Sequence, residues 1–210
     1  MKVKKIYLIV TVILLIIIIV ILSRDAIRSY FKISYRKFYN IDIDDNQLNI
    51  LEKNLNIINL DYKWKENLEL SNIPDKIIYH HAARSIWGPE DINEYHKEKG
   101  WKGIGYNYYI RKDGRIYSCR PENAEGAHTK GENNTSIGIC LEGNFEEEHP
   151  NEEQLESLYK LSVYISLKYD IYKILGHKDV YKTLCPGKEF PIKEIRENVV
   201  NEIKNYNKKE

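Results

Sequence analysis

From Ile6 to Leu22 the chain carries no charge and almost no polar group. The run sits at the short end of the about 17–25 apolar residues that a membrane-spanning helix needs. Lys2, Lys4 and Lys5 precede it and Arg24 closes it. No face of the run is polar, which argues against a helix buried in a protein core. Its exit, Ile21-Leu22-Ser23-Arg24-Asp25, lacks the small-x-small pattern of a cleaved signal peptide. The pattern therefore predicts an uncleaved transmembrane anchor over residues 1–23. Because Arg24, Arg28, Lys32, Arg36 and Lys37 follow the run, positive charge flanks it on both sides and does not by itself set its orientation.

Residues 24–60 are polar and read as a stalk, with a short helix around Asn46–Leu55, where Leu48, Leu51 and Leu55 share a face. From Asp61 the pattern becomes that of a globular domain, 61–210. Lys76 to His80 is a strand of β-branched and aromatic residues. Pro89-Glu90-Asp91 opens a helix, with proline and acids suited to its N-terminus, and Gly100 ends it. Tyr106–Arg111 and Arg115–Cys119 are strands around an Asp113-Gly114 turn. Ser136–Leu141, largely apolar, is a central strand. Asn151-Glu152-Glu153-Gln154 is a capping box opening a long helix with Leu155, Leu158, Tyr159, Ser162 and Ile165 inward. Ile174-Leu175-Gly176 is a short last strand. The segment after Pro191 is a helix with Ile192, Ile195, Val199 and Ile203 on one side. This succession predicts an α/β domain, a central mixed β-sheet flanked by helices.

Composition narrows the function classes. The 210 residues carry a net charge of +1, and no basic stripe with stacking aromatics occurs, so nucleic acid is not an expected partner. Three cysteines, Cys119, Cys140 and Cys185, cannot all pair within one chain, and their spacing is not that of a disulfide framework.

The chemistry-bearing residues are His80-His81 at a strand end, His177-Lys178-Asp179, and Thr183-Leu184-Cys185-Pro186-Gly187. Histidine nitrogen and cysteine sulfur are favoured zinc ligands, and two histidines with one cysteine leave a fourth tetrahedral position open, as in catalytic sites. His80 and His81 point to opposite faces of a strand, so only one of them can serve a given site. The alternation does not say which.

Several motifs, in order, resemble the type-2 N-acetylmuramoyl-L-alanine amidases, which share a fold with the peptidoglycan recognition proteins and amidase-type phage lysozymes. The resemblance runs from about Trp64 to Phe190. It rests on Ile77-Ile78-Tyr79-His80-His81-Ala82-Ala83, Tyr95-His96-Lys97-Glu98-Lys99-Gly100-Trp101, Gly105-Tyr106-Asn107-Tyr108, Arg111-Lys112-Asp113-Gly114-Arg115-Ile116, Gly126-Ala127-His128-Thr129-Lys130-Gly131, Ser136-Ile137-Gly138-Ile139, Gly143-Asn144-Phe145, and the pair Gly176-His177 and Thr183-Leu184-Cys185-Pro186-Gly187.

Position by position, the resemblance implies Zn2+ as cofactor, held by His80, His177 and Cys185. It implies Tyr106 and Thr183 as catalytic groups and His128 as a substrate contact in the groove. His81 then becomes a packed or hydrogen-bonded neighbour, His96 a helix-surface residue and His149 a loop residue. Some relatives carry a glutamate base where this chain has Cys140. Glu142, two residues on, faces the same way and reads as a solvated strand-end carboxylate or as a substitute for that base. The implied activity is hydrolysis of the amide between N-acetylmuramic acid and L-alanine in peptidoglycan, by a monomer whose domain lies outside a membrane crossed once by the anchor. A non-catalytic peptidoglycan receptor is the alternative, against which Cys185 argues, because receptors of this kind typically lose the cysteine.

Overall fold

The computed structural model describes residues 7, 9–20, 30 and 42–206. It divides into two compact units, Met1–Asp42 and Ile43–Glu210. In the first, residues 9–20 are helical and their apolar side chains are exposed. Among the described residues no helix is long and apolar enough to cross a membrane. The other residues of the expected anchor, apart from Tyr7, and residues 24–29 and 31–41 of the expected stalk lie outside the described residues.

The second unit starts earlier than its hydrophobic pattern indicates. Helix α1 (Asp45–Asn54) has a complete capping box between Asp44 and Gln47 and packs against the long helix α3 (Glu152–Tyr169). Strand β1 (Ile58–Asn59) pairs in parallel with β4 (Ile116–Ser118). Both elements fall before residue 61, so the domain boundary belongs at Ile43. A short helix and a two-residue strand carry too little apolar surface to announce membership of a core from sequence alone.

The remaining strands are β2 (Lys76–His81), β3 (Tyr108–Ile110), β5 (Ser136–Leu141) and β6 (Lys173–Gly176), in the order β1-β4-β3-β5-β2-β6. Only the hairpin β3–β4 is antiparallel. The sheet is mixed and flanked by helices, as the alternation of elements predicts. Every residue of β2 and β5 is buried, which requires cover on both faces and makes the buried Lys76, His80 and His81 of β2 stand out. On one face α2 (Pro89–Glu98) sets Ile92 against Tyr109, Tyr117 and Cys140. On the other, α3 brings the Ser162 hydroxyl to 2.6 Å from the Tyr79 hydroxyl. Helix α4 (Ile192–Asn205) packs on α3 and buries Ile195, Val199 and Ile203. Being covered by α1 and α4 as well as the sheet, α3 buries a broader arc than one stripe: Leu161 and every residue from Ser162 to Leu167.

Candidate metal centre

The register of the parallel strands assembles the site. His80 pairs with Cys140 and Tyr79 with Gly176, so His80 on β2 and His177, the first residue after β6, leave the same end of the sheet side by side. Ligands in open α/β sheets commonly gather at this carboxyl end of the strands. The two imidazole centroids are 4.6 Å apart. A 3-10 turn, His177–Asp179, carries His177. The Asp179 carboxylate fixes that turn by accepting the Gly176 N–H at 2.9 Å, and Arg196 of α4 braces it at 3.3 Å.

Cys185 arrives on a loop tied to the same turn. Its carbonyl accepts the Lys178 N–H at 2.8 Å, and Lys178 Nζ donates to the Gly187 carbonyl at 3.1 Å. Its Sγ lies 3.6 Å from His80 Nδ1 and receives the His81 N–H at 3.5 Å. One donor atom each from His80, His177 and Cys185 falls within 4.8 Å of the other two. His81 turns to the opposite face, where its Nδ1 accepts the Phe145 N–H at 3.1 Å. Alternation along one strand thus separates a site residue from a packing residue.

The electrostatics of the trio fit a divalent cation. Burial, then the neighbouring imidazoles, holds His80 well below the usual histidine range, and burial lowers His177 as well. Both rings are therefore neutral near pH 7 with lone pairs available. Burial pushes the Cys185 thiol up to about 12, although the His81 N–H and Lys178 pull the other way. Two imidazole lone pairs and a sulfur that can ionise form a donor set suited to a divalent cation, which would displace the thiol proton on binding.

Tyr106 sets its ring 5.0 Å from that of His80, tilted by 49°. Burial, then the Cys140 and Cys185 thiols, raises its phenol well above the ordinary value, so near neutral pH it is an O–H donor and not a base. Its segment is pinned on all sides. Asn93 Oδ1 and His96 Nδ1 of α2 accept the consecutive N–H groups of Ile104 and Gly105, at 2.9 and 3.1 Å. A Cβ on Gly105 would fall 2.1 Å from the Ala127 carbonyl oxygen, so only glycine lets the two segments meet. Asn107 locks the next position to β5 by accepting the Gly138 N–H at 2.9 Å. Asn93, His96 and Asn107 are thus positioning residues that the sequence reading passed over or misplaced. The helix-surface expectation for His96 is corrected: the ring is 6% exposed and sits 4.5 Å from Trp101.

Two other residues sit deeper than their motifs indicate. His128 is 8% exposed, and its Nδ1 is 3.1 Å from His80 Nε2. Glu142 is 3% exposed, not solvated. It accepts the Nε–H and Nη2–H of Arg111 at 3.0 Å and the Lys112 N–H at 3.0 Å, which leaves it unsuited to act as a base. Thr183 is half-buried beside Cys185, and its hydroxyl accepts the Cys185 N–H at 3.3 Å. That leaves the hydroxyl proton available for donation. Cys119 and Cys140 are buried free thiols, not a disulfide.

Residues 70–188 match the family profile described as N-acetylmuramoyl-L-alanine amidase. The endolysin of Klebsiella phage KP32 is 36% identical over 105 residues, covering 48% of this chain and 70% of that protein. Drosophila melanogaster peptidoglycan-recognition protein LB is 40% identical over 101 residues, 46% of this chain and 44% of that one. Among solved structures, the endolysin N-acetylmuramoyl-L-alanine amidase LysCS from Clostridium intestinale URNW superposes with a TM-score of 0.68 at 46% identity, covering 69% of this chain and 95% of that one. With more than half its length matched by the profile, and with an arrangement of strands and site residues to go with it, the chain belongs to the N-acetylmuramoyl-L-alanine amidase family.

Proposed function

We propose that this protein is a zinc-dependent amidase that hydrolyses the bond between N-acetylmuramic acid and L-alanine in peptidoglycan. The observation that carries the reading is the convergence of His80, His177 and Cys185, whose donor atoms lie within 4.8 Å of one another. Two imidazoles and one thiolate match the preferences of zinc and leave one tetrahedral position free for chemistry. When bound there, zinc supplies Lewis acidity to the amide carbonyl and acidifies water at neutral pH. The single thiolate leaves the site with net positive charge, which favours the negative charge that develops on the carbonyl oxygen.

The chain's own groups do the rest. Tyr106, held protonated, donates its O–H towards the developing oxyanion. Thr183, whose hydroxyl oxygen lies 3.3 Å from the Cys185 backbone nitrogen, donates its proton to the same oxyanion. It supplies a hydrogen bond and no charge, so its contribution is the smaller one. His80 and His177 stay neutral and hold their lone pairs inward. Tyr106 is also the candidate to pass a proton to the leaving amine, regaining it from the water consumed in hydrolysis.

The presence of Cys185 favours an enzyme over a non-catalytic receptor. We also place the domain outside the membrane, attached through the uncharged run Ile6–Leu22. The support is the length of that run and the exposed apolar side chains of residues 9–20. Digestion of purified peptidoglycan by the full chain, followed by mass spectrometry, tests the activity. Stem peptides with a free alanine amino terminus should appear and should vanish when a chelator strips the metal. Cleavage at another bond, or chelator-insensitive cleavage, would refute the proposal.

A further inference from the structure

We propose that His128 is a positioning residue that fixes the tautomer of His80, so that the Nδ1 lone pair of His80 faces Cys185 and His177. The inference rests on the reading of that trio as a metal site and goes beyond it by assigning the group that aims one of its ligands.

Hydrogen-bond direction can be traced through the buried chain from its far end. The Glu132 carbonyl can only accept, so the Ser136 hydroxyl, 2.6 Å away, donates to it. With its proton committed, Ser136 Oγ presents a lone pair to His128 Nε2 at 3.4 Å. His128 therefore carries its proton on Nε2, and its Nδ1 is bare. That Nδ1 lies 3.1 Å from His80 Nε2 and 3.1 Å from Thr129 Oγ1, so it accepts from both. Thr129 Oγ1 also stands 3.4 Å from His80 Nε2 and shares its proton. His80 must then be protonated on Nε2 and bare on Nδ1, the atom 3.6 Å from Cys185 Sγ. Every bond in the run points away from the metal position and ends on a backbone carbonyl.

The fold is shaped around this ring. A Cβ on Gly126 would lie 2.6 Å from His128 Cδ2, and one on Gly138 would lie 2.7 Å from it. Both glycines clear space for the imidazole. The Asn133 side chain accepts the N–H groups of His128 and Thr129 at 3.0 and 2.8 Å, which fixes the loop. Outer partners of metal-bound histidines set ring orientation and tautomer, and losing one commonly weakens metal binding about 10–100-fold.

Zinc affinity of the full-length chain, measured by competition with a chromogenic chelator, tests the assignment with two variants of similar polarity. His128→Asn keeps an acceptor near the Nδ1 position and should hold zinc within about threefold of the unmodified chain. His128→Gln moves its amide towards the Ser136 end and should lose about 10–100-fold. A ring that merely filled space would give the reverse order, because glutamine is closer to histidine in volume. Equal affinities, or tighter binding by the glutamine variant, overturn the proposal. Ser136→Ala removes the group that sets the direction of the run while leaving the ring in place. It should weaken zinc by roughly three- to tenfold, and an unchanged affinity overturns the proposal independently. If the unmodified chain bound no zinc at all, the metal reading itself would fall and take this assignment with it, whereas failure of the variants alone leaves the metal reading intact.

Discussion

The two ends of strand β2 bury polar groups in opposite ways. At the start, Lys76 is buried to 8% side-chain exposure, yet its ammonium meets Asp75 at 2.7 Å, Glu132 at 2.8 Å and the Thr135 hydroxyl at 2.8 Å. Charge and hydrogen bonds are both satisfied within the chain. At the other end, four residues on, His80 faces the Cys185 sulfur at 3.6 Å and the His177 imidazole, a set of donor atoms suited to a cation. A buried ion is tolerated when paired, whereas a cluster of facing donor atoms is stabilised when something positive joins it. One end is electrostatically finished and the other is built to be completed by a ligand, a difference that locates function more sharply than burial does.

Substitutions at the open end should strike binding and catalysis. The largest expected effect is that of Cys185→Ala, which removes the only ligand able to contribute negative charge. Zinc supplies several kcal/mol of charge stabilisation to a polarised carbonyl, so activity on purified peptidoglycan should fall on the order of a thousandfold, with zinc lost on dialysis. Retained zinc and near-normal turnover would break the comparison outright, because the open end would not be the metal end. Tyr106→Phe comes next. Removing one oxyanion donor costs about 10²–10³ in kcat. Zinc content and KM should change little, since the phenol lies beside the trio and not in it. A change confined to KM would reassign Tyr106 to substrate binding.

Much of this architecture is legible in the hydrophobic pattern, and the reason is specific. Ser136–Leu141 has identical limits in sequence and structure because its apolar run is bounded by polar residues and it lies at the centre of the sheet. His177 lies at the end of a short strand whose glycine marks the turn. What the pattern hides is side-chain company across long sequence gaps. His80 and His128 are separated by 48 positions, and nothing local in Gly126-Ala127-His128 states that the ring turns inward. His96 reads as a surface residue because α2 is strongly polar, yet one turn of that helix faces the Tyr106 segment. Glu142 reads as a solvated strand end because its partner Arg111 lies 31 positions away, just past the end of β3. In each case the missing information is tertiary, and a motif resemblance locates the residue without saying what it touches.

His96 offers a test on the acidic side. Burial, then Arg120 and Lys99, lowers its imidazole to about 4. Because the folded value lies below the unfolded one, near 6.5, the stability it permits is complete above pH 6.5. It drains away as pH falls towards 4, since the unfolded chain takes up the proton first. The difference corresponds to about 3 kcal/mol by pH 4. His96→Asn keeps an acceptor for the Gly105 N–H but cannot titrate. Denaturant unfolding of metal-free protein at pH 7 and pH 4 should show the unmodified chain losing about 3 kcal/mol more than the variant. Equal losses would mean that other buried histidines carry the acid sensitivity.

The smallest effect is the sharpest test of the contrast between the two ends. Lys76→Met removes the ammonium from the closed end. Asp75 and Glu132 keep 43% and 31% of their side-chain surface exposed, so both carboxylates can rehydrate, and the cost should be only about 1–2 kcal/mol of unfolding free energy. Zinc affinity should stay within about twofold. The reason lies in which part of Glu132 each end uses. Lys76 binds its carboxylate, while the Ser136–His128–His80 run terminates on its backbone carbonyl. Rotation of the freed side chain need not move that carbonyl, which stays tied through the Thr135 N–H at 3.1 Å. If Lys76→Met weakened zinc tenfold, the two ends would be one network running the length of β2, and the carbonyl would be the link that joins them.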